Sequence, residues 1–522
     1  MHPTVIQGKN HADHRGEVAF VNDFNFDEIK RFYTITNANT SQFRAWQGHK
    51  LDNKNFYCVS GSFDIYFVKI DNWDNPSKDL KIEKITLSAK ESKVLFIPAG
   101  YANGIKSLEL NSKLLSLSTL PLGDVKDDDV RFDSNYWEIE ENEVENSKIH
   151  LSIADFGGNE MSFIQEAFNS NWITTIGNNV NEFEKLLEGY LGDSKHVVAV
   201  NSGTSALHLA LILLGITQGD VVVCQSFTFS ASANPIIYQG ATPIFVDSEI
   251  DTWNLCPMHL ENAIINSLKL GKKPKAIIAV HLFGMPFKVD EIVAISKKYN
   301  IPIIEDSAEA LGGAYKRKKC GTFGDISVFS FNGNKIITTS AGGAIVLDSS
   351  ELKQKAIFYA TQARDNKPYY QHSKIGYNYR MSNICAGIGR GQMQVLQKHI
   401  EQKRANHSFY CKVFAHIEGV FVLTEPSEEY FSNFWLSTIL VNPLLTAGKT
   451  AENLRLFLES KNIESRPLWK PLHLQPIFKQ YPFFGSDVSA HLFENGLCLP
   501  SSCSLSNIQK ERISYLLADF FA

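Results

Sequence analysis

The chain has 522 residues, of which 44% are hydrophobic and 20% charged, a balance that excludes a disordered chain and predicts more than one folded domain. Its formal net charge of −5 excludes the basic footprint of a nucleic-acid binder and a polybasic membrane anchor. No apolar run approaches the roughly 18–20 residues of a membrane helix, and Met1-His2-Pro3-Thr4 does not open a secretory signal.

From the N-terminus, short runs rich in Val, Ile, Phe and Tyr recur between turn residues, at 55–61, 63–68 and 93–100. Such spacing predicts an all-β sandwich or barrel over residues 1–137. Residues 138–149 are acidic and lack apolar periodicity, and read as a linker. From residue 150 strands alternate with helices, the pattern of an α/β fold with a largely parallel sheet. Leu207, Ala210, Leu211 and Leu214 predict one apolar helix face. Buried strands are predicted at 243–247, Ala276–Val280 and 301–304. Beyond residue 400 helices and strands mix, predicting a smaller subdomain over 401–522.

Three features of the α/β region form a chemical set. Gly203-Thr204-Ser205 opens the helix just described, and free N–H groups at a helix start suit a phosphate dianion. Asp306 ends an apolar strand, where ligands of open α/β sheets gather. Lys335 lies between the apolar run ending at Phe331 and the small-residue turn Thr338-Thr339-Ser340-Ala341-Gly342-Gly343, where backbone can approach closely. An amine for a Schiff base, an acid for a pyridine nitrogen and a loop for a phosphate are what pyridoxal phosphate (PLP) requires. In this reading Lys335 tethers the cofactor and then carries a proton, while Asp306 keeps the ring nitrogen protonated. Ser330 would add a hydroxyl, and Phe229 would stack on the ring. Taken singly, each has a plainer reading: Asp306 as a helix cap, Lys335 as a surface lysine, the Gly-Thr-Ser loop as an N-cap and Phe229 as core.

With these motifs in order, residues 150–522 resemble the DegT/StrS family of PLP-dependent sugar-nucleotide aminotransferases. The matching segments are Asn201-Ser202-Gly203-Thr204-Ser205, Ser226-Phe227-Thr228-Phe229, Glu305-Asp306-Ser307-Ala308-Glu309, Asn334-Lys335 and Gly376-Tyr377-Asn378-Tyr379-Arg380. The resemblance implies a type I aminotransferase fold, a large domain over 150–400 and a small one over 401–522. It also implies a homodimer with shared active sites, in which Asn378 reaches the PLP phosphate across the interface. Glu309 stands where many relatives carry Gln or His over a cofactor oxygen.

Thr339-Ser340-Ala341-Gly342-Gly343 is similar to one branch, the 4-aminotransferases of UDP-4-keto-6-deoxy-N-acetylglucosamine. Trp172, in Asn171-Trp172-Ile173, and Arg466, Trp469 and Lys470 also match that branch. Their charges would suit a nucleotide diphosphate, and their rings its base. The implied reaction is glutamate-dependent amination of a UDP- or dTDP-linked keto sugar at C4, with C3 amination of a dTDP-3-keto sugar as the alternative.

Residues 1–137 are similar to cupin-type dTDP-sugar epimerases and 3,4-ketoisomerases. The resemblance rests on Asp13-His14-Arg15-Gly16, Phe43-Arg44-Ala45-Trp46-Gln47-Gly48-His49, Val59-Ser60-Gly61-Ser62 and Ile97-Pro98-Ala99-Gly100-Tyr101-Ala102-Asn103-Gly104. Gln47 and Asn103 stand where relatives carry histidine, and Gln47 cannot abstract a proton α to a ketone. His49 remains and fits the second histidine of the ketoisomerase branch, with Arg44 as a substrate contact. Three readings stay open: an isomerase or epimerase using His49, a sugar-nucleotide binder without chemistry, and a structural or dimerising module. No metal is expected, because the His-x-His ligand pair has become Gln47-x-His49; His11 and His14 read as turn and polar-contact residues. Eight scattered cysteines without a C-x-x-C pair suit reduced thiols and a cytoplasmic location.

Overall fold

The computed structural model describes residues 2–13, 15–40, 42–137, 147–192 and 194–522. Two compact units are present, Met1–Asn142 and Glu143–Ala522. Most of the expected linker lies outside the described residues, as does His14.

In the first unit two five-stranded sheets pack face to face. One runs in the order Thr4–Gln7, Lys93–Ile97, Lys54–Ser60, Lys113–Ser118, Arg31–Ile35; the other Asp129–Arg131, Phe43–His49, Tyr101–Ser107, Ser62–Lys69, Ile82–Ser88. Every pairing is antiparallel, consistent with a jelly roll. Alternate side chains of both sheets, among them Phe56, Phe63, Ile65, Leu95 and Leu114, meet in one core. His11 sits exposed within the strand Lys9–Asp13, not in a turn as the sequence suggested.

The second unit is built on an eight-stranded sheet in the order His196–Val200, Gly343–Leu347, Ile326–Ser330, Ile303–Asp306, Ala276–Val280, Val221–Gln225, Thr242–Val246, Phe483–Phe484. The six strands from Ile326–Ser330 onward are mutually parallel, and only Gly343–Leu347 runs against its neighbours. Helices cover both faces, so the central strands are unbroken apolar runs: all five residues of Ala276–Val280 are buried. The helix Gly203–Leu213 differs from its predicted single stripe. Ala206, Leu209 and Leu213 are buried along with Leu207, Ala210 and Leu211, and Leu214 is the capping residue. A helix apolar on most of its circumference lies within the core instead of on its surface.

The helix Asn383–Phe414 runs for 32 residues and passes through residue 400 without a break. It leads to a four-stranded sheet, in the order Val420–Val422, Ser437–Val441, Gly496–Leu499, Arg466–Pro467. That sheet shares a core with the helices Ala451–Ser460 and Asn507–Phe521. Among the described residues no helix is long and apolar enough to cross a membrane.

Candidate active site

A cavity of about 340 Å³ opens at the carboxyl ends of the central parallel strands. Its floor is the start of the helix Gly203–Leu213. Ser202 caps that helix, its Oγ accepting the Ser205 N–H at 3.1 Å. Gly203 and Thr204 line the cavity. A Cβ on Gly203 would stand 2.9 Å from the Ser330 Cβ, so only glycine lets the helix start approach the strand that carries Ser330. Ser205 does not line the cavity. It is buried, with its Oγ donating to Asn201 Oδ1 at 2.6 Å, and so ties the loop to itself.

Asp306 ends its strand inside the cavity wall. Its Oδ2 accepts from Ser232 Oγ at 2.7 Å, and its Oδ1 accepts the Ala308 N–H at 3.1 Å. Burial pushes its pKa up, against the opposing influence of Ser232 and Lys335. Among the described residues no cationic side chain ion-pairs with it, so a cation delivered into the cavity would be stabilised there.

Lys335 Nζ lies 3.3 Å from Glu309 Oε1 and 4.0 Å from the centroid of the Trp435 ring. The other Glu309 oxygen accepts the Phe283 N–H at 2.7 Å. Burial raises the Glu309 pKa, and the Lys335 ammonium opposes this. Phe229 is half-exposed at the mouth, 5.4 Å from Trp469, which stacks on Phe283 at 6.4 Å.

Thus Gly203, Thr204, Phe229, Asp306, Glu309, Ser330, Lys335 and Trp469 come together around one cavity, and the expected Ser205, Arg466, Lys470, Trp172 and Asn378 do not line it. Arg466 is exposed and bonded to Glu464 at 2.8 Å. Lys470 is exposed. Trp172 lies in a separate surface hollow with Asn178 and Asn383. Asn378 is exposed on a loop whose backbone carbonyl accepts from Asn201 Nδ2 at 3.1 Å. Arg44 is exposed on a strand of the first unit. Sequence reasoning missed Ser232 and Trp435. Ser232 is two residues past the Ser-Phe-Thr-Phe-Ser run, where a hydroxyl-rich loop after a strand was the available signal. Trp435 lies 100 residues after Lys335, and nothing in its own segment marks it.

In the first unit His49 Nδ1 stands 3.3 Å from Asp128 Oδ2, and its Nε2 is buried without a partner among the described residues. Burial and the nearby Lys54 hold the His49 pKa below the ordinary histidine range. Ligand atoms of His49, Asp52 and Asp128 fall within 4.8 Å of one another, a cluster invisible in the spacing because Asp128 is distant in sequence. Asp52 is already compensated by Lys54 Nζ at 2.8 Å and by the Thr119 and Leu120 N–H groups at 2.8 and 3.0 Å. Gln47 Nε2 donates to Asp129 Oδ1 at 2.9 Å, and Asn103 Nδ2 donates to the Gln47 carbonyl at 3.1 Å. Both side chains therefore bond to the strands around them.

Residues 155–517 match the DegT/DnrJ/EryC1/StrS aminotransferase family. The chain belongs to that family. EpsN of Bacillus subtilis (strain 168), whose name describes it provisionally as a pyridoxal phosphate-dependent aminotransferase, is 46% identical over 378 residues, 72% of this chain and 96% of EpsN. A GDP-perosamine synthase of Escherichia coli O157:H7 is 39% identical over 368 residues, 70% of this chain and 96% of that protein. The crystal structure of a DegT/DnrJ/EryC1/StrS aminotransferase from Brucella abortus superposes with a TM-score of 0.65 at 30% identity, covering 70% of this chain and 95% of that one. The type I aminotransferase fold expected from the resemblance is the fold observed, and as a DegT-family aminotransferase the enzyme uses PLP. The cavity fits that cofactor. A helix start held open by glycine can take a phosphate, the buried Asp306 has no cationic ion-pair partner among the described residues, and the Lys335 amine faces the same space.

Proposed function

We propose that the enzyme moves the amino group of glutamate to C4 of a nucleotide-linked 4-keto-6-deoxy sugar, with UDP-4-keto-6-deoxy-N-acetylglucosamine as the expected acceptor. The observation that carries the amino-transfer part of this reading is the convergence of the Lys335 amine, the Asp306 carboxyl and the Gly203 helix start on one cavity; the acceptor and donor are proposed from the sequence resemblance. When bound, PLP stores the amino group between the two substrates and takes up the electrons released when a carbon is deprotonated. Asp306, fixed by Ser232 and the Ala308 N–H, would hold positive charge at the ring nitrogen. Lys335 would tether the cofactor and, once released, carry a proton to and from the amino-bearing carbon. Glu309 holds the free ammonium 3.3 Å away, and its raised pKa suits it to share that proton. Phe229 and Trp469 offer aromatic faces at the mouth for a cofactor ring and a base. The reading further places Asn378 at the phosphate of a neighbouring subunit in a homodimer, and Trp172, Arg466 and Lys470 on the sugar nucleotide.

Product NMR after incubating the enzyme with glutamate and UDP-, dTDP- and GDP-linked 4-keto and 3-keto sugars tests the acceptor. The GDP arm is included because one relative is named for a GDP sugar. A 4-amino product from the UDP sugar is expected. A 3-amino product, or turnover of the GDP sugar alone, overturns the assignment.

For the first unit the proposed role is keto-sugar isomerisation through His49, whose Nε2 carries the lone pair when Nδ1–H is donated to Asp128. The burial of Nε2, together with the commitment of Gln47 and Asn103 to structural bonds, favours a second reading, a sugar-nucleotide binder without chemistry. Full-length enzyme incubated with the keto sugar in D₂O, without glutamate, separates them. Isomerisation predicts deuterium beside the ketone that falls by about 100-fold in His49→Gln, in line with loss of one general base. Incorporation indifferent to His49 removes it from that role.

A further inference from the structure

We propose that Lys403, buried in the long helix Asn383–Phe414, is a positioning residue for Lys335. This inference rests on the reading of Lys335 as the cofactor tether. Lys403 is 2% exposed, and among the described residues no carboxylate reaches ion-pairing distance of its ammonium. Its Nζ instead donates to two neutral acceptors, Ser152 Oγ and the Trp435 carbonyl, both at 3.0 Å. Those two residues converge on one atom. Ser152 Oγ donates to the Asn334 carbonyl at 3.3 Å, and the Trp435 indole N–H donates to the same carbonyl at 2.7 Å. Asn334 immediately precedes Lys335, and the Trp435 ring lies 4.0 Å from the Lys335 amine. The buried ammonium thus closes a bracket that holds the backbone entering Lys335 and sets the aromatic face beside its Nζ.

Packing does not explain a charge here. Burial pulls the Lys403 pKa down to about 8, with Cys503 and Asp155 opposing, so the ammonium is held against a desolvation cost. A methionine of similar volume would avoid that cost. An ammonium supplies three donors on a compact head, which lets one atom bind both arms of the bracket at once.

The experiment uses full-length, PLP-loaded enzyme. Borohydride reduction and peptide mapping come first: a label on any residue other than Lys335 defeats the tether reading, and this inference with it. With the label on Lys335, Lys403→Met is expected to lower kcat by about 10- to 100-fold, as a small misplacement of a reacting group does, with KM within about threefold. The visible band of the bound cofactor should shift, and the pH midpoint of that band should move. Lys403→Gln, which keeps two N–H donors without the charge, should recover most of the loss. Trp435→Phe on the Met background should add little, because both changes open the same bracket. A Met variant with wild-type kcat and absorbance overturns the proposal. So does a loss that only follows the folded fraction measured by circular dichroism, with Gln no better than Met.

Discussion

Lys335→Ala is expected to lower amino transfer by at least about 1000-fold while the protein stays folded. Loss of a general acid–base group alone accounts for about 100- to 10,000-fold, and the covalent tether goes with it. The remaining cavity would still hold a phosphate at Gly203 and a cation at Asp306, so the variant should bind the cofactor in a form that borohydride no longer fixes to the chain. Stability should change little or fall modestly. The amine is partly buried against Glu309, and removing it leaves that carboxyl without its cation. Glu309, already raised by burial, can respond by protonating and so avoid an uncompensated charge. Stopped-flow turnover, thermal melting and peptide mapping after reduction check the three parts. Full turnover by the variant would sink the role given to Lys335.

The features legible in the sequence were those whose physics is local. Gly203, Asp306 and Lys335 each sit at a recognisable junction: a helix start, a strand end, a small-residue turn. The sheet then brings three such junctions together because parallel strands all deliver their carboxyl ends to one side. Groups that act across long separations left no local mark. Lys403 looks like a surface lysine in a charged helical stretch until Ser152 and Trp435 fold onto it. The His49–Asp128 contact joins residues 79 apart. Ser205 was expected at the phosphate, and its side chain is engaged elsewhere. Its place in the Gly-Thr-Ser loop suggested the phosphate; in the structure this first-turn hydroxyl donates to Asn201 Oδ1 at 2.6 Å. Trp172, Arg466 and Lys470 were expected from a resemblance alone, and among the described residues none of them lines the cavity.

Glu305→Ala should be the most destabilising single change near the site, by about 3–5 kcal/mol, the range for stripping one partner from a buried charged network. Glu305 is fully buried. One oxygen faces His281 Nε2 at 2.8 Å and Ser307 Oγ at 3.1 Å; the other accepts the Phe323 N–H at 2.7 Å, the Gly324 N–H at 2.9 Å and Ser327 Oγ at 2.8 Å. The Gly321 N–H donates to the first of these oxygens, the one facing His281. Backbone donors in a packed turn cannot re-aim, so alanine would orphan them. Glutamine is expected to rescue little, since its NH₂ would be set against donors that need an acceptor. Burial alone would raise the Glu305 pKa, but His281 and the converging N–H groups override it and hold it at about 2. Its folded pKa therefore lies below the unfolded value near ~4.3, so the unfolded state binds more protons between the two. Its contribution is fully present above about pH 4.3 and is lost as pH falls through about 2, an integrated effect of about 3 kcal/mol. Urea melts at pH 7, 5, 4 and 3 should show the wild type and Glu305→Gln converging with acid. A constant gap across that range would mean the carboxylate is not the stabilising species. Because Glu305 directly precedes Asp306 on one strand, the network that stabilises this turn also fixes where the Asp306 carboxyl stands, which ties stability here to the geometry of the cofactor cavity.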